Sequence, residues 1–392
     1  KCTALRHKYP VINYSYFLHE TFYAGDFGHR KLLICDEAHN IEDSLMKFVE
    51  FSVSDRDLEH VGSKVPEGEL PIAEWIGKIR EWEDLMWTER TFTKEKIEKT
   101  CNMEKRAELA KKAHELEEKV NRCGFIISEL QSDPQNWVID NSVTGRIRKV
   151  SFKPVFVKRW AGKIFGLAEN FLLQSATIID AEAMASSLGL PEDQCAFIRA
   201  PSSFDPEKRP VFYKPLGSMS HGRKEGSLPI LLDAIKKLMD EYSHEKGVIH
   251  THTYPIRNYI VENLESDRVI SNHNTCSRDT VMKEFMKSGK PLVLVTPSAY
   301  EGVDFKYDIC RWQVLCKVPY ADFMDKQVRK RAELDPRWYQ WRTVLRLVQT
   351  YGRGMRAEDD WCHTYIFDSS FAQLFRRNRE MFPDWFVDAV KE

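Results

Sequence analysis

The sequence predicts an α/β protein built on parallel sheets, divided between two sheet domains, with a helical insertion in the first. Three observations predict it. Through the second half of the chain, short apolar runs alternate with helical patterns, as parallel strands joined by crossover helices require. Several apolar runs along the chain stop abruptly at charged or small polar residues, most sharply where Lys31-Leu32-Leu33-Ile34-Cys35 meets Asp36-Glu37. Over residues 52–140, by contrast, strand signals are few, and between Thr93 and Arg122 Lys, Glu, Leu and Ala recur at helical spacing.

Composition bounds the function. With 392 residues, 42% hydrophobic and 30% charged, the chain is long enough for two or three domains with cores of their own. A formal net charge of −1 excludes a global basic field, so nucleic-acid binding must come from local patches. No apolar run approaches membrane-spanning length and nothing at the start resembles a signal peptide. An intracellular protein of the cytoplasm or nucleus, with no membrane partner, is the expectation. The nine cysteines (2, 35, 101, 123, 195, 276, 310, 316 and 362) include no Cys-x-x-Cys pair and are expected to be reduced and structural.

Taken in order, residues 31–34 suit a strand buried on both faces. Asp36 and Glu37 then stand at the carboxyl end of that strand, where sheets of this kind bind ligands. Mg-ATP chemistry needs one carboxylate there for the metal and one to orient the attacking water. A bare Asp-Glu also suits the cap of a following helix, here residues 40–50. Residues 93–122 read as a solvated helical hairpin. Residues 141–168 hold Arg146, Arg148, Lys149, Lys153, Lys158, Arg159 and Lys163 with no acidic residue. They suit either a phosphate-tracking patch or the outer face of a strand pair with Ile147, Val150, Phe152, Val155 and Phe156 inside. Phe171-Leu172-Leu173 forms another short strand, ending in Gln174-Ser175-Ala176-Thr177 before a helix over 181–188, and Ser-Ala-Thr alone also suits a helix cap.

Prolines 201, 206 and 210 mark a linker. Beyond it, strands are expected at 211–214, 247–252, 267–271 and 291–296, with helices at 228–242, 254–264 and 277–287. That pattern puts Thr251, His252 and Tyr254 at one carboxyl edge and Thr296, Ser298, Glu301, Gly302 and Asp304 at another. Residues 325–346 interleave seven Lys and Arg with Trp338, Tyr339 and Trp341, which suits single-strand stacking or the packing of a long helix. Arg353 and Arg356, spaced i, i+3, would share a helix face and reach developing phosphate charge, with Gly352 and Gly354 permitting close approach.

Asp36-Glu37-Ala38-His39-Asn40 resembles the DEAH box of the superfamily 2 DNA helicases related to XPD and DinG. Asn13-Tyr14-Ser15-Tyr16-Phe17-Leu18 is similar to the segment preceding that box. Gln174-Ser175-Ala176-Thr177, Glu301-Gly302-Val303-Asp304 and Gln349-Thr350-Tyr351-Gly352-Arg353-Gly354-Met355-Arg356 resemble motifs III, V and VI, in the family's order. The resemblance implies two RecA-like domains, the first over 1–51 and 141–206 around an arch-like insertion at 52–140, the second over 207–392.

It further implies an ATP-dependent helicase moving 5′ to 3′ on single-stranded or forked DNA, with repair or replication proteins as partners. Glu37, Gln349, Arg353 and Arg356 would be catalytic. Asp36, Gly302 and Asp304 would bind nucleotide, and Asp36 with Glu37 would hold Mg²⁺. Thr251, His252, Tyr254, Thr296 and Ser298 would meet the DNA, and His39, Ser175, Ala176 and Thr177 would couple the two activities. The family's 4Fe–4S cluster could draw on Cys2 for at most one ligand. The chain begins at Lys1 and contains no Gly-rich phosphate loop ending in Gly-Lys-Ser/Thr. The 392 residues alone are therefore expected to be inactive, as part of a longer enzyme. The alternative is a nonenzymatic remnant that binds nucleic acid or docks a partner.

Overall fold

The computed structural model describes residues 7–25, 27–220, 222–272, 277–297 and 303–391. They form two compact units. The first runs up to Gln174 and also takes in Ala185–Pro191 and Asp322–Leu334; the second comprises Ser175–Met184, Glu192–Ala321 and the chain from Asp335 onward. Each unit thus holds a segment that the linear order would assign to the other.

In the first unit, helix α1 (Tyr14–His19) is capped by the Asn13 side chain, which accepts from Tyr16 N. Strand β1 (Arg30–Cys35) pairs in parallel with β5 (Ala168–Leu173), Cys35 opposite Leu173. Burial on both faces is not what the structure shows: Leu32 is 51% exposed, Ile34 56% and Leu172 47%. The reason is that β1 and β5 form a two-stranded sheet among the described residues, and one of its faces is left uncovered. Helix α2 (Ile41–Val49) follows β1.

The insertion is more than helices. Helices α3 (Ile72–Lys99) and α4 (Met103–Ser132) form the hairpin, with Trp75, Ile79, Trp82 and Met86 buried at a three-to-four-residue period along one stripe of α3. Its root is an antiparallel sheet of β2 (Phe51–Ser54), β4 (Ile147–Pro154) and β3 (Trp137–Thr144), in the order β2-β4-β3. Phe152 sits between Phe51 and Ile139 and meets Trp75 edge-on at 5.6 Å. Three members of the basic cluster are committed to acids distant in sequence. Arg148 bonds Asp55 at 3.1 Å and Glu67 at 2.9 Å, Lys153 bonds Asp140 at 3.2 Å and Asp325 at 2.9 Å, and Arg159 meets Glu129 at 3.1 Å. Helix α5 (Lys158–Phe165) buries Trp160 and Ile164.

Helix α6 (Lys326–Leu334) belongs to this unit as well. Its Arg331, fully buried, meets Glu42 at 3.2 Å and lies over the Phe156 ring at 4.1 Å. A buried ion pair is tolerable only because each charge has its counterion.

The second unit is a seven-stranded, all-parallel sheet. Its order is β12 (Val390–Lys391), β6 (Val211–Gly217), β11 (His363–Asp368), β10 (Trp312–Leu315), β7 (Gly247–His250), β9 (Val293–Thr296), β8 (Val269–Ile270). Strands β10 and β11, in the middle of the sheet, were not among the expected strands. Core clusters cover both faces, with Ile249, Val293, Val295, Trp312 and Val314 in one and Val248, Leu294, Phe285, Phe305 and Cys310 in the other. Alternate residues of one strand feeding two cores explains the unbroken apolar runs. Helix α7 (Pro336–Tyr351) buries Trp338 and Trp341, so those rings are core rather than stacking platforms.

Gly247 lies against Trp312 so closely that an added Cβ would fall 2.1 Å from the indole Cε2. Gly247→Ala is therefore expected to destabilise the second unit by about 1–3 kcal/mol through overpacking. Urea unfolding followed by Trp fluorescence measures it, and an unchanged midpoint would refute the close approach.

Candidate functional site

In the first unit, the turn after β1 is built around Asp36. Its Oδ1 accepts from the backbone N of Glu37 at 3.0 Å and from Gln174 Nε2 at 3.2 Å, while Tyr14 donates its hydroxyl to the Asp36 carbonyl at 2.7 Å. Gln174 also clamps the turn through its main chain, donating to Cys35 O and accepting from Ala38 N, both at 3.0 Å. Burial, reinforced by Cys35, Asp36 and Glu37, pushes the Tyr14 hydroxyl's pKa well up and keeps it a donor. Burial likewise pushes the Cys35 thiol up to about 11.

Glu37 follows in a left-handed backbone conformation, φ 47°, that non-glycine residues seldom adopt. Its side chain is 62% exposed and lies 3.3 Å from Nδ1 of buried His39. Asp36 is exposed too. Two open carboxylates at a strand's carboxyl end are oxygen donors of the kind Mg²⁺ takes, one or two at a time beside phosphate oxygens. Among the described residues no group of three or more His, Cys, Asp or Glu is placed to hold a metal ion. Cys2 lies outside the described residues.

The segment after β5 belongs to the second unit. Ser175 Oγ accepts from Thr177 N at 3.1 Å, across a turn that contains Ala176. Gln349 Nε2 donates to Thr177 Oγ1 at 3.1 Å, Trp341 Nε1 to Ile178 O at 2.8 Å, and Arg337 meets Asp180 at 2.8 Å. The structure therefore joins the segment after β5 directly to helix α7.

Arg353 and Arg356 do not share a helix face. Helix α7 ends at Tyr351, with Gly352 as its cap; Arg353 lies in the turn that follows and Arg356 in the loop beyond it. Glycine's poor helix propensity favours the stop, and the close approach of Cys362 requires glycine at 354, where a Cβ would lie 2.4 Å from its Sγ. Arg356 Nε meets Asp304 Oδ1 at 2.9 Å, and Arg353 donates to Val303 O at 3.5 Å. Ser298, Glu301 and Gly302 lie outside the described residues.

At the edge beyond β7 and β9, Thr251 and Thr296 are fully buried. The Thr251 hydroxyl is within bonding distance of Thr253 O (3.1 Å) and Thr296 O (3.2 Å), so it ties the two strand ends together. Tyr254, at the start of the next helix, is 60% exposed. His252 has φ 55° and stacks on buried His250, ring centres 6.3 Å apart. Tyr14 and Gln174 stand in the sequence motifs without a role of their own, and His250 is not singled out by the sequence. A polar residue closing an otherwise apolar strand, as His250 closes β7, was the available signal.

Both histidines are held neutral. Burial, with a contribution from Arg353, pushes His250 down to about 4, and burial, His250, Arg346 and Lys317 push His252 down to about 3. The unfolded chain takes up protons as pH falls through the ordinary value of 6.5, but the folded rings do so only near 4 and 3. The stability of this unit is thus expected to fall as pH drops from 6.5 toward 4, by about 3 kcal/mol for His250 alone. Urea midpoints across that range, with NMR titration of the two rings, measure it. Rings titrating near 6.5 would refute the burial.

Residues 235–389 match the helicase C-terminal domain family. Among solved structures the chain is similar to an XPD helicase, with TM-score 0.57 and 14% identity over 94% of this chain and 70% of that one. It is also similar to an apo form of XPD, with TM-score 0.54 and 13% identity over 89% of this chain and 75% of that one. Xpd4 of S. tokodaii gives TM-score 0.50 and 16% identity over 89% and 74% of the two chains. Among curated proteins no sequence match is found. The chain thus shares the fold of the XPD helicase structures, and residues 235–389 match the helicase C-terminal domain family.

Proposed function

We propose that the chain is the larger part of an ATP-dependent DNA helicase, which hydrolyses ATP to step 5′ to 3′ along single-stranded DNA. The observation that supports this best is the Asp36-Glu37 turn. A left-handed Glu costs on the order of 1 kcal/mol or more, and such strain persists where surrounding bonds over-determine it. Here Tyr14 holds the Asp36 carbonyl, Gln174 and His39 each contact one carboxylate, and both carboxylates stay exposed to solvent.

In this reading Asp36 and Glu37 would hold Mg²⁺, which would neutralise phosphate charge during transfer. Glu37 orients the attacking water. Arg353 and Arg356, the latter oriented by Asp304, stabilise charge developing on the transferred group. Gln349, bonded to Thr177, relays the state of the nucleotide to the segment after β5. Phosphoryl transfer depends mainly on positioning, and the backbone nest and Lys that would bind the phosphates are not among these residues. The exposed apolar face of Leu32, Ile34 and Leu172 supports the view that further packed segments, among them the one carrying that phosphate loop, cover the first sheet.

The test joins the chain to its natural phosphate-loop segment. The joined protein is expected to hydrolyse ATP when single-stranded DNA is added, and the 392 residues alone to show little turnover. Glu37→Gln in the joined protein should lower turnover about 10²- to 10⁴-fold while ATP still binds, as loss of a water-orienting carboxylate does. Robust hydrolysis by the 392-residue chain, abolished by Glu37→Gln, would falsify the division of labour.

DNA is proposed to cross the edge at exposed Tyr254, above the buried Thr251 and Thr296, held through phosphate and sugar, since a motor must grip every sequence alike. Binding is expected to be indifferent to base sequence and to weaken with salt, with a log–log slope of about −0.7 per phosphate contacted. A strong sequence preference with a flat salt response would favour the docking remnant instead.

A further inference from the structure

The middle of β10 carries a polar residue that neither the motifs nor the fold require. Gln313 is 1% exposed, between Val248 on β7 and Thr364 on β11. A buried amide is tolerated only when its hydrogen bonds are made. Nε2 donates to the Tyr351 carbonyl at 2.8 Å and to Thr364 Oγ1 at 2.9 Å, and Oε1 lies 3.2 Å from His250 Nε2. With both amide hydrogens committed, Oε1 accepts, so His250 carries its proton on Nε2.

Tyr351 O is one of the carbonyls that the end of a helix leaves without an internal partner. Gln313 therefore caps helix α7 from beneath, two residues before Arg353. It also underlies Gly354, whose Cβ would lie 3.2 Å from Nε2. The segment that bears both arginines is seated on this amide.

We propose that Gln313, oriented by His250, is the positioning residue for Arg353 and Arg356: it sets where helix α7 stops and so the direction in which the two guanidinium groups leave the sheet. His250 serves by fixing the amide's orientation. A neutral ring that donates through Nε2 keeps Oε1 occupied and both Nε2 hydrogens aimed at Tyr351 and Thr364. The proposal rests on the role given to Arg353 under Proposed function.

The test is DNA-stimulated ATP turnover in the full-length protein. Gln313→Leu keeps the volume but removes the cap, and is expected to lower kcat about 10- to 100-fold with KM for ATP within about twofold, as misplaced transition-state groups do. Combined with Arg353→Ala, it should slow turnover no further than Arg353→Ala alone, because the two act as one unit. A structural role would add its own loss. His250→Leu is expected to fall with Gln313→Leu, and His250→Gln, whose amide reaches the position of Nε2, to recover most of the turnover. The histidine pair decides the matter if Gln313→Leu does not fold. Full turnover in Gln313→Leu or His250→Leu, beside an inactive Arg353→Ala, overturns the positioning role alone. Unchanged turnover in Arg353→Ala overturns the underlying reading of the arginines.

Discussion

A parallel strand cannot turn straight into its neighbour, and much of this architecture follows from that constraint. Each connection must cross back over the sheet, so helices cover both faces, and the strands' carboxyl ends gather at one edge. In the second unit this places His250, Thr296, Leu315 and Asp368 in a row. Loops leaving such a row can be irregular and polar while the strands stay apolar. Thr251, whose hydroxyl ties two of these ends, shows how even the edge is stiffened by buried polar contacts.

Among the described residues of the first unit, β1 and β5 present Asp36 and Glu37, and Gln174 at the end of β5 supplies both main-chain and side-chain bonds to the turn after β1. Rigidity comes from cross-strand clamping rather than from depth of burial. Glu37 stays open to solvent while its backbone is held in a strained state.

Much of this was legible in the sequence, and what was missed was missed for physical reasons. The apolar run before Asp36, the helical hairpin and the alternation after Pro210 are local patterns, and local patterns survive without the fold. Strand β10 is only four residues long and carries Gln313, whose polarity makes sense once its three partners from other strands and a helix are known. The requirement for glycine at 354 comes from its close approach to Cys362, a contact between segments that share no pattern. The basic stretch after Asn141 looked unpaired because Asp55, Glu129 and Asp325, which answer Arg148, Arg159 and Lys153, come from elsewhere in the chain. Exchange of Ser175–Met184 and Asp322–Leu334 between units has no sequence signature at all. Of the candidate site, residue types and order could be read, but not the partners that orient them.

The antiparallel sheet at the base of the hairpin bears on how the chain finds its fold. Strands β1 and β5 must meet across roughly 130 residues, a long loop to close by chance and a slow one. Phe51 pairs with Phe152 in the finished structure, and were that pairing to form first, the effective loop would shorten to about 30 residues and its closure cost would fall by about 1 kcal/mol. The hairpin, built from contacts local in sequence, can form early and hand β5 to β1. An element that reads as an appendage of the finished molecule is thereby an assembly jig for the strand that carries its two carboxylates.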